Sequence, residues 1–330
     1  MFNFVKVIAV ATATVAMAAT AQADELKFAH FMSPNHPDHG NVFIPMAEQL
    51  AEATAGEVTM RIYPGGELGS GPRDQYNRAV DGITDLSFAL PGYTASAFPL
   101  TLLAEMPGVL SDEATATQAL WANIDHLDRE FRRVELISLW TNPDAVIFTR
   151  DVPIRALDDL AGLKIRVPSR NAGMIVEAWG ATPVSMPAPQ MYNALQTGVI
   201  DGALIDEGGV LSFKLEEVAS FMTRGMQSQI SPFMIVMNRD AFADLSNAQQ
   251  TALKDIGQKM SLVAQETRAA SSVRGADVFA AAEGHEIIEL SEAEAARFDD
   301  AAVSALEAVV AELEADGIPA AEFVSALQGE

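Results

Sequence analysis

One short pattern occurs twice in the chain and restricts its fold more than any other feature. Tyr76-Asn77 is followed by Gly82, Asp85 and the apolar run Leu86 to Leu90. Tyr192-Asn193 is followed by Gly198, Asp201 and the run Ala203 to Ile205. Gly stands six residues and Asp nine residues after the Tyr in both copies, and each copy follows a strand-like stretch and a Pro-containing loop. A short helix closed by Gly and turning tightly into a buried strand has this spacing. Two readings stay open: two lobes built on one plan, or a common α/β turn met twice, since Gly is the default residue after a helix.

The rest of the chain alternates strand-like and helix-like stretches, which predicts an α/β fold. Leu26 to Ala29 reads as a first strand, and Asn41 to Thr54 as a helix with Ile44, Ala47, Leu50 and Ala51 on one face and Gly56 after it. Val58 to Tyr63 alternates as a strand and ends in Pro64-Gly65-Gly66. Between the two copies, Trp140-Thr141-Asn142-Pro143 reads as a crossover, and Ser231-Pro232 before the apolar strand Phe233 to Met237 as the return. Ser246 to Glu283 contains no proline and opens with the capping pair Ser246 and Gln249; Leu253, Ile256, Met260 and Val263 share one face. As one helix it would be about 57 Å long at 1.5 Å per residue and would have to run along both lobes. Gly257 and Gly275 offer the alternative of breaks. A last helix, Ser291 to Asp316, opens with the box Ser291-Glu294, buries Phe298, Ala302, Ala305, Val309 and Leu313, and stops at Gly317-Ile318-Pro319.

Composition narrows the function. With 330 residues, 49% of them apolar, the chain can bury more than one core. Its 21 basic and 45 acidic residues leave a net charge of −24, which argues against nucleic acid or anionic lipid as the main partner. The absence of cysteine excludes disulfides, thiolate metal sites and Cys nucleophiles. Lys6, the apolar run Val7 to Ala19 and the small-x-small triplet Ala21-Gln22-Ala23 have the form of a secretory signal peptide cleaved after Ala23. The run is shorter than the roughly 20 residues needed to span a bilayer. The mature chain is therefore expected outside the cytoplasm, in the periplasm of a Gram-negative cell.

Candidate chemistry is sparse. In Gly162-Leu163-Lys164-Ile165-Arg166-Val167-Pro168 the apolar residues alternate with the basic ones, and Pro168 ends the strand, so Arg166 sits near its carboxyl edge. Ligands of open α/β sheets bind beyond those edges, and a guanidinium there is a permanent cation shaped for a carboxylate. A salt bridge to one of the chain's own acids is the equal alternative. His36-x-x-His39 lies near His30, but Pro37 interrupts any helix that would align a metal pair, so no metal is expected. Gly65-Gly66-Glu67-Leu68-Gly69-Ser70-Gly71 lacks the order of a nucleotide-binding loop, and no cofactor is expected. No serine stands in a nucleophile elbow, and no catalytic constellation is legible.

Asp159-Leu160-Ala161-Gly162-Leu163-Lys164-Ile165-Arg166-Val167-Pro168, Gly180-Ala181-Thr182-Pro183-Val184 and Tyr192 to Gly202 together resemble the central signature of the solute-binding proteins of tripartite ATP-independent periplasmic (TRAP) transporters. Tyr63 to Gly69 and Val236-Met237-Asn238 resemble the same family's first-lobe turn and return strand. The resemblance implies a two-lobed periplasmic-binding-protein fold with an interdomain cleft, crossover strands and a long helix spanning both lobes. Residues 24–143 with 231–270 would form lobe I, and 144–230 with 271–330 lobe II and the C-terminal helices. It further implies a non-enzymatic receptor that binds a small organic carboxylate through Arg166 and delivers it to small and large membrane permease subunits. The chain departs from sugar-acid-binding members at Ile205 and Ala188, and their second Arg and acidic side chain map near Val146 and Leu90. A less polar pocket follows. Phe31 and Tyr93, in the loops after the first and fourth strands, and Phe233 would wall it. Competing readings are a secreted hydrolase using His30, His36 and His39 with acids, and a ligand-sensing partner of a membrane receptor.

Overall fold

The structure, a computed structural model, describes residues 24–69, 71–110 and 114–329; the signal-peptide stretch and its cleavage point after Ala23 lie outside the described residues. The strands are β1 (Asp24–Ala29), β2 (Val58–Tyr63), β3 (Leu86–Ala89), β4 (Val134–Thr141), β5 (Val146–Thr149), β6 (Lys164–Val167), β7 (Thr182–Ser185), β8 (Gly202–Ile205), β9 (Phe221–Arg224), β10 (Pro232–Asn238) and β11 (Glu286–Glu289). The α-helices are α1 (Ile44–Ala53), α2 (Gln75–Val80), α3 (Ala116–Ala122), α4 (Arg170–Ala178), α5 (Met191–Gln196), α6 (Gly209–Phe213), α7 (Arg239–Asp244), α8 (Asn247–Ala281), α9 (Glu292–Ala315) and α10 (Ala320–Gln328). None of the described helices is long and apolar enough to cross a membrane.

Two sheets form, in the orders β2-β1-β3-β10-β4 and β11-β9-β5-β8-β6-β7. In each, a strand (β1 or β6) pairs in parallel with two neighbours, and an antiparallel strand delivered from the other half of the chain (β10 or β5) completes the layer. The repeated pattern lies at equivalent places and makes equivalent bonds. Gly82 and Gly198 both take left-handed backbone, with φ of 68° and 72°, after α2 and α5. Asp85 accepts the Lys27 N–H at 2.7 Å and donates its own N–H to the Lys27 carbonyl. Asp201 does the same with Lys164, accepting at 2.8 Å. Each Asp thus ties the start of its strand to the parallel neighbour, which is why the residue recurs nine places after the Tyr.

The chain passes between sheets at residues 142–145 and 225–231, and the two passages lie side by side. Asn142 N–H donates to the Ser231 carbonyl and Ala145 N–H to that of Gln229, both at 3.0 Å.

Some expectations need correction. Tyr93 follows the third strand, not the fourth, since β1, β2 and β3 are the strands that precede it among the described residues. A π-helical turn, His39–Phe43, precedes α1. Ser291 caps α9, but its reciprocal bond is missing: the Glu294 carboxylate reaches Leu157 N–H and Arg297 instead. A further helix, α10, follows Pro319 and docks where the Asn123 amide bonds the Ala326 carbonyl and the Gln328 amide bonds that of Gly108.

The long helix is continuous. The 35 residues of α8 extend about 52 Å at 1.5 Å per residue. Ser246 and Gln249 close its N-terminus reciprocally. Leu253, Ile256, Met260 and Ala264 enter the core of the first sheet, and Phe279 meets Phe148 of the second edge-on at 5.5 Å. Gly257 and Gly275 do not break it; they let it approach. A Cβ on residue 257 would stand 2.1 Å from the Ile137 carbonyl oxygen, and one on residue 275 would stand 2.1 Å from that of Glu207. Ile137 is the residue of β4 skipped where the pairing with β10 shifts register, so a bulge turns its carbonyl toward the helix. Ser138 and Ser261 hydroxyls both donate to the Gly257 carbonyl there, at 2.8 and 3.0 Å.

Alanine in an exposed helix gains about 1 kcal/mol over glycine. At residues 257 and 275 the sign should invert, since overpacking costs about 1–3 kcal/mol. Urea unfolding should show Gly257→Ala and Gly275→Ala destabilised, while Gly40→Ala, which meets nothing within 4 Å, stays neutral. Equal stability of all three variants would refute the close-approach reading.

Candidate functional site

Arg166 is third in the four-residue strand β6, which lies between β8 and β7. Its side chain is nearly closed off from water, at 2% exposure. Nε donates to the Met186 carbonyl at 2.9 Å, Nη1 to the Leu204 carbonyl at 3.2 Å, and Nη2 makes a long 3.5 Å contact with Tyr93 Oη. All three partners are neutral. Among the described residues no carboxylate oxygen lies within 4.0 Å of the guanidinium, so the internal salt bridge is not formed. Of five N–H donors, about two remain unassigned. Burial pulls Arg166 below the ordinary guanidinium range, opposed by Tyr93, Asp206 and Glu105.

Tyr93 reaches across from the loop after β3. Its hydroxyl oxygen accepts the Ala188 N–H at 2.8 Å, which leaves its own proton free to donate. Burial raises its pKa and so keeps that proton in place.

Arg166 lines a narrow cavity of about 30 Å³. The structure brings all seven sequence-predicted residues to it: Phe233 of the first sheet with Phe31, Leu90 and Tyr93 from the segments after β1 and β3, and Arg166 and Ile205 of the second sheet with Ala188 from the segment after β7. The aromatic wall is anchored to the core. Phe31 and Phe233 stack on Phe88 at 5.3 and 5.6 Å, and Phe233 also stacks on Trp140 at 5.9 Å.

The expectation of an apolar pocket describes only part of this lining. Asn142, Asp206, Gln229, Ser231 and Arg268 contribute a polar side. Val146 is core and does not line the cavity; the second arginine comes from α8. Arg268 lies 4.5 Å over the Phe233 ring and grips Asp38 Oδ2 through Nη2 (2.6 Å) and Nε (3.0 Å). A signal for it existed, since position 268 continues the buried stripe of Met260 and Ala264. Asp206 directly follows β8, where the carboxyl-edge rule applies as it does to Arg166. Its Oδ2 accepts the Asn142 amide at 2.6 Å, and burial raises its pKa.

The three histidines lie close together. His30 Nε2 and His39 Nδ1 are hydrogen-bonded at 2.9 Å, and His36 Nδ1 lies 3.8 Å from Asp38 Oδ1. Burial first, and neighbouring charge second, lowers His30 to about 3; burial also lowers His36 to about 4. Among the described residues no group of three His, Asp or Glu could hold a metal ion.

The family model described as "DctP: Bacterial extracellular solute-binding protein, family 7" matches residues 28–313. A solute-binding protein of Albidiferax ferrireducens is 27% identical over 296 residues, 86% of each chain. Among solved structures, a marine-metagenome TRAP solute-binding protein specific for aromatic acids, in complex with metahydroxyphenylacetate, is 27% identical with a TM-score of 0.87, over 93% of this chain and 98% of that one. A TRAP solute-binding protein of Rhodoferax ferrireducens holding copurified benzoate is 26% identical with a TM-score of 0.86, over 92% and 96%.

Glu105 is buried beside the site, where the Ser169 hydroxyl donates to Oε2 and the Gln229 amide reaches Oε1 at 3.5 Å. Burial pushes its pKa up to about 8. The folded form therefore holds a proton that the unfolded chain releases near pH 4.5. Its contribution to stability is full below that pH and is lost as pH rises through about 8. Glu130, pushed up to about 7, acts in the same direction. Glu105→Gln keeps the shape without the titration. Chemical denaturation at pH 6 and pH 8 should show the wild type losing about 2 kcal/mol more than this variant. Parallel losses would rule out a neutral Glu105.

Proposed function

Because the chain belongs to the bacterial extracellular solute-binding proteins of family 7, the binding components of TRAP transporters, we propose that it captures a small aromatic or apolar monocarboxylate through Arg166. The family consists of binding proteins, not enzymes. The observation that carries the proposal is a buried guanidinium with neutral partners only, opening on an aromatic-walled cavity. A buried charge without a counterion is costly, typically several kcal/mol. A ligand carboxylate offsets that cost where internal acids do not. The aromatic acids held by the solved relatives support this solute class.

The lobes are 24–143 with 231–270, and 144–230 with 271–330. Tyr93 and Phe233 of one and Arg166 and Ala188 of the other enclose the solute, which makes its full set of contacts only when they close, so binding shifts the population toward the closed form. The receptor is exported after cleavage following Ala23, works in the periplasm, and hands the closed complex to the small and large permease subunits.

Titration calorimetry with benzoate and phenylacetate tests the reading. Arg166→Ala should weaken binding at least about a hundredfold, the equivalent of roughly 3 kcal/mol. Arg166→Lys should lie between, since it retains the charge without the fork. Unchanged affinity in Arg166→Ala would remove the assigned role, and stabilisation of the protein by dicarboxylates or sugar acids alone would remove the solute class.

A further inference from the structure

The polar side of the cavity contains an acceptor that the protein leaves unused. Asn142 lies in the first passage between the sheets, is 6% exposed and lines the cavity. Its amide nitrogen donates to Asp206 Oδ2 at 2.6 Å, and its backbone N–H to the Ser231 carbonyl at 3.0 Å. Its side-chain oxygen is buried and has no hydrogen-bond partner. The orientation is dictated by Asp206, because a carboxylate accepts and so turns the NH₂ of the amide toward itself. The oxygen is then directed away, and leaving such a group unpaired is unfavourable.

We propose that Asn142 Oδ1 accepts a hydrogen bond from a hydroxyl on the solute, so that the preferred ligands are hydroxylated aromatic carboxylates rather than unsubstituted ones. The inference rests on the carboxylate reading of Arg166 and adds a second point of recognition. The two anchors are close in the chain: Arg166 is held by the Leu204 carbonyl, and Asn142 by Asp206, two residues on. Leu204 and Asp206 are two residues apart at the end of β8, so both anchors are held at the same end of one strand. Phe31, Tyr93 and Phe233 line the same cavity and suit a ring's faces and edge. A site built to pair a hydroxyl discriminates against the analogue lacking it, since the buried acceptor then stays unpaired. Asn142 also belongs to the hinge, so the hydroxyl would be read where the two sheets join.

The test is calorimetric, with benzoate, 3-hydroxybenzoate and 4-hydroxybenzoate as ligands. The wild type should bind one hydroxy acid at least about tenfold more tightly than benzoate. Asn142→Ala should abolish that preference, the hydroxy acid and benzoate then binding with affinities within about threefold of each other in the variant. Asp206→Asn, in which an amide replaces the carboxylate that orients Asn142, should narrow the preference as well and serves if Asn142→Ala fails to fold in a thermal melt. Equal binding of all three acids by the wild type, or a preference that survives Asn142→Ala, would overturn the inference and leave the Arg166 reading standing. Binding of none of them would overturn both.

Discussion

A desolvated guanidinium without an acidic partner among the described residues governs this structure. Arg166 is held in place by two carbonyls and a phenol, groups that orient it without neutralising it. The acids around the cavity have other partners: Arg268 for Asp38, Asn142 for Asp206, and Ser169 for Glu105, whose pKa burial raises to about 8. A chain of net charge −24 therefore retains a positive point inside itself. The net charge governs long-range attraction, whereas the pocket's sign is set by which few groups are within contact distance.

That arrangement needs two sheets held at a definite approach. The helix α8 supplies the brace, touching a bulged strand of the first sheet at Gly257 and the turn after β8 of the second at Gly275. The turn it touches carries Asp206, and the helix itself carries Arg268, so the brace and the polar side of the cavity are one construction. The aromatic wall is similarly continuous with the core, through Phe88 and Trp140.

Legibility in the sequence followed the range of each interaction. Strands β2 and β10 and the N-terminal cap of α8 were readable because alternation, an unbroken apolar run and capping are local patterns. The repeat was readable because the same bond, Asp to the backbone of a parallel neighbour, is made twice. Glu294 misled because a reciprocal cap is also local, and a distant N–H, that of Leu157, took the carboxylate instead. Arg268 and Asp38, 230 residues apart, form a pair that no window of sequence contains.

By itself the sequence determined the α/β alternation, the recurrence of one Gly and Asp turn and the placement of Arg166 at a strand's carboxyl end. These depend on periodicity, on turn residues and on a proline, all acting within a few residues. Only the tertiary structure decided that Arg166 meets no acid among the described residues, that Gly257 and Gly275 are contact points rather than breaks, and that the side-chain oxygen of Asn142, a residue of the cavity lining, is buried without a partner. The physical reason is that desolvation and close packing depend on what the rest of the chain brings within a few ångströms, and that is settled only when both sheets are in place.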